Sequence, residues 1–396
     1  MHLSHRNLIS LGILLSASIA GAQTPAPAAA PPSPLPTPAV TGPLSWLPPA
    51  MFDAGPFGKI AANGIVTGLG YAQNNHVPGD ETGQGALSNG MIILQKADGK
   101  YQYFVQVGAY TMPSLGTPFL PADKTVSNFY GPVPVAFFKL PVGKTTQFLI
   151  GALPTLMGDE STFTFQNPTI ERGLLWNQEN AINKGIQVNQ TLGKYFSASL
   201  SWNDGYYSNR YTWLSGLLAF TKGPHSVAFE GMGNYGQTAY QTAATPVQNN
   251  STMYLLSYTY TKGPWILQPY YQFSDVPTNP KVGVMQGATT NGGALLASYA
   301  FKSGFSLPAR VEYIATSGSN RNGAVNLLFG PGSAGTSFTV TPTYQKGAMY
   351  FRTDVSVVHA GSYTPGDVFG KTGMQNNQSR VVAEMGFIFG SNSPEK

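Results

Sequence analysis

The stretch "YLLSYTYTKGPWILQPYYQF", Tyr254 to Phe273, decides the fold. In an extended run Tyr254, Leu256, Tyr258 and Tyr260 share one face, and Leu255, Ser257, Thr259 and Thr261 share the other. Beyond Lys262-Gly263-Pro264, Trp265, Leu267, Tyr271 and Phe273 alternate with Gln268, Tyr270, Gln272 and Ser274. A period of two on both sides of a Gly-Pro turn is the pattern of a β-hairpin. A soluble sheet would hide its apolar face, but here the polar face is mild and rich in Ser, Thr and Gln. Such a face suits a water-filled interior, which leaves the aromatic face for lipid.

The design repeats along the chain. Seven short connections each carry a lysine: "ADGKY" at Lys100, "LPVGKT" at Lys144, "TLGKY" at Lys194, "TKGPH" at Lys222, "TKGPW" at Lys262, "FKSGF" at Lys302 and "YQKGA" at Lys346. Seven hairpins give 14 strands, and an opening strand near Ala61 to Gln73 with a closing one near Arg380 to Phe389 makes 16. The alternative count is 18, with "AVNLLFG" (Ala324 to Gly330) as one extra strand and another hidden in residues 156 to 183. Eight longer Gly/Asn/Pro-rich segments alternate with the hairpins, at 74 to 86, 113 to 131, 156 to 183, 205 to 210, 235 to 250, 275 to 291, 317 to 335 and 359 to 378. Short turns on one side and long loops on the other are the asymmetry of an all-β, antiparallel, up-and-down transmembrane barrel, with the turns periplasmic and the loops extracellular.

Charge placement fixes the faces. In "FSLPARVEYIA", Phe305, Leu307, Ala309, Val311, Tyr313 and Ala315 oppose Ser306, Arg310 and Glu312. In "MYFRTDVSVV", Met349, Phe351, Val355 and Val357 oppose Tyr350, Arg352, Asp354 and Ser356. In "RVVAEMGFIF", Val381, Ala383, Met385, Phe387 and Phe389 oppose Arg380, Glu384 and Gly386. An Arg on the lipid side at the membrane midplane costs about 2 to 4 kcal/mol, so the charged rows belong in the lumen. The predicted pore-lining set is therefore Glu230, Arg310, Glu312, Arg352, Asp354, Arg380 and Glu384, with Lys139 on the same side. Tyr260, Trp265, Phe301, Phe305 and Tyr344 cluster beside the turns as an interfacial girdle.

Composition agrees. Charged residues make up 10% of the 396 and aromatics 12%, where ordinary soluble domains carry about 25% charge. No cysteine is present, which excludes disulfides, thiol nucleophiles and thiolate metal sites. Residues 1–22 read as an export signal: a basic start at His2, His5 and Arg6, an apolar run from Leu8 to Ile19, and Ala20-Gly21-Ala22 before Gln23. Residues 23–57 form a Pro/Ala-rich periplasmic linker read as an extended tether, 58–390 the barrel and 391–396 a C-terminal tail. Net charge is +5, but seven lysines sit in the periplasmic turns and the rest are dispersed, so no selectivity sign follows and nucleic-acid binding is disfavoured.

Residues 148 to 205, "FLIGALPTLMGDESTFTFQNPTIERGLLWNQENAINKGIQVNQTLGKYFSASLSWNDG", carry a resemblance. The run G-x-L-P-T-x-x-G-x-E, then an Asn and an Arg-Gly before the next strand pair, is similar to the OmpL-like beta-barrel porins. The matching positions are Gly151, Pro154, Thr155, Gly158, Glu160, Asn167, Arg172 and Gly173. The resemblance implies an outer-membrane pore of unstated substrate. One departure is the ending: such barrels usually finish on an aromatic residue, whereas "GSNSPEK" follows Phe389.

Other motifs are weaker. "GMGNYG", Gly231 to Gly236, fits G-x-G-x-x-G but no helix or acidic partner follows, so a strand end entering a loop is the better reading. His76, His225 and His359 have no metal-ligand spacing. Asp80-Glu81 and Asp159-Glu160 are read as solvated loop charge rather than calcium ligands. The third and longest outside loop, Leu156 to Asn183, is expected to fold inward as a constriction, with Phe163, Phe165, Leu174, Leu175 and Trp176 as anchors and Glu160, Glu171 and Arg172 lining it. An external lid is the alternative. The function expected is a passive porin for small hydrophilic solutes or ions. A plugged structural or adhesion barrel comes second, and a barrel-borne hydrolase third, since no catalytic residues, metal or cofactor are called for. Expected partners are outer-membrane lipid, the transported solutes, the barrel-assembly machinery and a homo-oligomer.

Overall fold

The computed structural model describes residues 44–236 and 247–390; the export-signal reading for 1–22, the linker up to residue 43 and the tail 391–396 lie outside the described residues. The first elements are β1 (Ala50–Asp53), β2 (Lys59–Gln73), β3 (Gly83–Lys96) and β4 (Gln102–Tyr110). A two-turn helix α1 (Ala122–Asn128) follows, then β5 (Val135–Val142), β6 (Thr146–Pro154), β7 (Ile182–Leu192) and β8 (Phe196–Asn203). Next come β9 (Trp213–Lys222), β10 (His225–Asn234), β11 (Thr252–Lys262), β12 (Trp265–Val276), β13 (Ala288–Ala300) and β14 (Phe305–Thr316). The chain closes with β15 (Ala334–Val340), β16 (Thr343–Lys346), β17 (Met349–Ser362) and β18 (Asn377–Phe389).

All of these strands join one sheet, and antiparallel pairing of β18 with β2 closes it into a barrel. β15 and β16 occupy one place in the wall, since both pair with β14 and with β17. The break falls at Thr341-Pro342, where proline has no N–H for the ladder. β1 pairs only with the first residues of β2. The wall is therefore sixteen strands around with two extra segments. Residues 324–330 form no strand; Ala324 makes an isolated bridge to Gln286 within the loops, so the higher count does not hold.

Local sequence explains the wall. Lys262 pairs with Trp265 across Gly263-Pro264, and Gly263 has φ +58°, a conformation in which a Cβ would be strained. Either side of that turn, Tyr254, Leu256 and Tyr271 are about half exposed, whereas Leu255, Ser257 and Gln272 are buried. An apolar row left bare on a closed sheet is a lipid-facing row. Near the turns Trp265, Tyr299, Phe301 and Phe305 form a chain of ring contacts with centroids 4.7, 4.7 and 5.3 Å apart, at the height of an interfacial girdle. Among the described residues no helix is long and apolar enough to cross a membrane. Closed barrels resist detergent until heated, so the folded chain is expected to migrate faster unboiled than boiled in gel electrophoresis. Identical migration of membrane-extracted protein would contradict the closed wall.

Candidate functional site

Between β6 and β7 the chain turns into the barrel, and residues 156–181 are nearly all buried. Three arginines of the wall hold this loop. Arg310 of β14 donates to Glu160 at 2.6 Å and to the Glu171 carbonyl at 2.8 Å. Arg352 of β17 donates to the carbonyls of Asn167 at 2.9 Å and Thr164 at 2.7 Å while pairing with Glu384 of β18 at 2.6 Å. Arg380 of β18 pairs with Glu171. Wall carboxylates bind the loop backbone: Glu312 accepts from Leu174 and Leu175, and Asp354 from Glu171. Arg310, Glu312, Arg352, Asp354, Arg380, Glu384, Glu160, Glu171 and Arg172 thus form one buried network, all with exposures of 3% or less. The reading of Asp159-Glu160 as solvated loop charge is overturned, because both residues are 3% exposed.

The loop's internal scaffold comes from a few side chains. Asn167 donates to the carbonyls of Ser161 and Phe163 and accepts from the Ser161 amide at 2.6 Å, closing a small ring of backbone. Arg172 donates to the carbonyls of Pro113, Ser161 and Thr162 and lies over Trp176 with 5.2 Å to the ring. Gly158 has φ +87°, and a Cβ there would run into the Glu179 carboxylate; a Cβ at Gly173 would run into that of Glu312. Replacing Asn167 by Ala removes the acceptor of the Ser161 amide and one of the two donors to each of the Ser161 and Phe163 carbonyls, at a cost of about 1 to 3 kcal/mol. The expected result is faster proteolysis within the loop at unchanged barrel migration, and a loop that stays resistant would refute this scaffold.

The loop divides the interior into unlike halves. Toward β2 to β6, Phe163 and Phe165 pack with Ile65, Met91, Ile93, Phe104 and Phe137, each buried side chain contributing about 1.5 to 3 kcal/mol. The N-terminal segment enters the same half: Leu44 is 1% exposed, Trp46 meets Phe165 edge-on at 6.5 Å, and Ser45 exchanges two hydrogen bonds with Gln345 of β16. Toward β7 and β8 the inward row reads Gln187, Asn189, Thr191, Ser197, Ser199 and Ser201, joined by Ser257 and Thr259 of β11, whereas Trp213, Leu217, Ala219, Ala228, Met232, Met253 and Leu255 make much of the inward face of β9 to β11 apolar. One side-chain polar atom of each of Asn189, Thr191 and Thr259 has no hydrogen-bond partner among the described residues. Glu230 of β10 stands on this side too, apart from the arginines, accepting from the Gly158 amide at 2.8 Å. Burial pushes the Asp159 carboxyl of the loop up to about 8, and burial with surrounding acids lifts Glu179 well above the carboxylate range.

A family model described as "Putative beta-barrel porin-2, OmpL-like" matches residues 59–389. The chain belongs to that family. It is an outer-membrane barrel with a porin's fold. Among solved structures, the anion-selective porin from Comamonas acidovorans is similar, with 12% identity, a TM-score of 0.58, and coverage of 83% of this chain and 99% of that one. The outer membrane channel DcaP of Acinetobacter baumannii has 8% identity and a TM-score of 0.58, covering 86% of this chain and 100% of its own. OmpF of Salmonella typhi, solved with daunomycin, has 13% identity and a TM-score of 0.56, covering 84% and 98%. At these identities the likeness is one of fold. No protein with a curated description matches the chain.

In this porin-2 family barrel, several contacts had no signal in the sequence. The segment before α1 supports the loop through Leu115, whose amide donates to the Arg172 carbonyl at 3.0 Å, and through Pro113, whose carbonyl accepts from Arg172. Residues 44–57, the end of the segment read as a tether, pack on the wall and pair as β1 with β2. Lys139 lies buried on β5, away from the arginine network. His225 and His359 sit on exposed strand positions and His76 in a loop, and among the described residues no group of three potential ligands could hold a metal ion.

Proposed function

We propose that the barrel is a passive diffusion channel for small hydrophilic solutes or ions, in which the loop Leu156 to Asn183 sets the constriction. Glu160, Glu171 and Arg172 belong to that constriction as structural charges, and Arg310, Glu312, Arg352, Asp354, Arg380 and Glu384 are the wall groups that fix its position. The observation that supports this reading most is the polar stretch of the lumen wall on β7, β8 and the turn end of β11. Asn189, Thr191 and Thr259 each leave a polar atom there without a partner among the described residues. Buried polar groups in folded proteins are nearly always satisfied, so on this reading water or solute would supply the missing bonds.

The packed β2 to β6 half and the inserted Leu44 and Trp46 favour a second reading, a plugged structural barrel. No catalytic role is assigned to any residue. Self-association also belongs to the proposal: an outer membrane protein of Vibrio cholerae with the same fold is described in a trimer form. Purified full-length protein in a planar bilayer is expected to give discrete conductance steps. Heat-modifiable protein that inserts and never conducts would favour the plugged barrel.

A further inference from the structure

Lumen charges divide into two populations. Glu160, Glu171 and Glu384 each pair with an arginine, and Glu312 lies 3.8 Å from Arg310. Among the described residues Asp159, Glu179 and Glu230 have no such partner. They converge on Gly158: Asp159 is the next residue, the Glu230 carboxylate accepts from the Gly158 amide, and the Glu179 carboxylate fills the space where a Cβ on Gly158 would stand. The charged groups acting on Glu179 and Glu230 are all acids. All three residues are at least 95% buried, and both Glu179 carboxylate oxygens lack a hydrogen-bond donor. A second, neutral group points the same way. Tyr270 of β12 is 5% exposed, its hydroxyl has no hydrogen-bond partner among the described residues, and it lies within electrostatic reach of Glu160, Glu179, Glu312 and Asp159, and of Arg310.

Uncompensated buried carboxylates are strongly unfavourable unless they are protonated or meet a cation. Among the described residues no group of three His, Cys, Asp or Glu side chains could hold a metal ion by itself, so a cation bound here would need neutral oxygens as well as carboxylates. We propose that Asp159, Glu179, Glu230 and the Tyr270 hydroxyl form a station for a monovalent cation, either an alkali ion or a protonated amine, between the third loop and the inward face of β10 to β12. The station rests on the channel reading and deepens it to a preference for cationic solutes. The carboxylates supply charge, and Tyr270 with the neighbouring Ser257 and Gln268 supplies neutral oxygens.

The test uses full-length protein in planar bilayers under a potassium chloride gradient, comparing the parent with E179Q/E230Q and with the milder Y270F. The parent is expected to favour potassium over chloride, and the double variant to lose that preference severalfold. In a second arm ethylammonium is added at constant potassium; slowing of the parent's potassium current that disappears in E179Q/E230Q assigns the station to amines, and its absence assigns it to alkali ions. Both variants should retain heat-modifiable migration, the double variant at a higher unfolding temperature, because buried uncompensated charge has been removed. A parent that conducts with the same permeability ratio as both variants overturns the station and leaves the channel standing. A parent that never conducts overturns the channel reading itself.

Discussion

Deleting Ser161 to Gln178 is expected to raise single-channel conductance severalfold while the barrel still assembles. The loop runs from its roots on β6 and β7 to Arg310, Arg352 and Arg380 on β14, β17 and β18, so it crosses the interior rather than lining one side. Pore width and electrostatic barriers govern passage, and a segment lying across the lumen controls both. The wall survives because its backbone bonds run strand to strand and close on themselves. Arg310, Arg352, Glu312 and Glu384, buried in the intact protein, then face water and lose their desolvation penalty. Conductance in planar bilayers, with heat-modifiable migration as the check on assembly, reads the effect. An assembled deletion variant that conducts like the parent would place the passage elsewhere.

Replacing Arg352 by Ala is expected to be the most damaging single change in the wall. Arg352 donates to Glu384 through Nε at 2.7 Å and holds two loop carbonyls at the same time. Its loss leaves the Glu384 carboxylate buried beside Tyr350 and Thr164, at a cost of about 3 to 5 kcal/mol for a broken buried pair. The double variant R352A/E384A removes the stranded charge as well and is expected to recover part of that loss, giving a positive coupling in a double-mutant cycle. Urea unfolding followed by the loss of the fast-migrating band gives the energies. Equal stability of parent and R352A would mean that the arginine does not hold the loop.

The wall was legible in the sequence because its rules are local. Alternation of period two marks each strand, a lysine-bearing turn marks each hairpin, and a charge among apolar residues shows which face avoids lipid. Even the strand count follows, except where Pro342 splits one strand and where residues 324–330 imitate another. The interior was less legible because its contacts are long-range. Arg310 and Glu312, two apart on one face, look like a pair, yet they lie 3.8 Å apart, whereas Glu160, 150 residues away, lies 2.6 Å from Arg310. The apolar residues of the third loop favour an inward course with an external lid as the alternative, and nothing in the pattern tells Glu160, which meets an arginine, from Glu179, for which none is seen among the described residues. The N-terminal segment is harder still: a Pro/Ala-rich composition reads as a tether, and no local feature foretells that Leu44 and Trp46 enter the barrel.

The third loop lies inside the wall, and thiol accessibility in intact cells tests this directly because the chain has no cysteine of its own. Thr164→Cys places a near-isosteric thiol where the loop meets Asn89 and Glu384, and Lys371→Cys places one on an exposed outer loop. With a bulky, membrane-impermeant maleimide, Lys371→Cys is expected to label rapidly and Thr164→Cys to stay unmodified until the protein is unfolded. Labelling of Thr164→Cys at the rate of Lys371→Cys would contradict the account and make the loop an external lid.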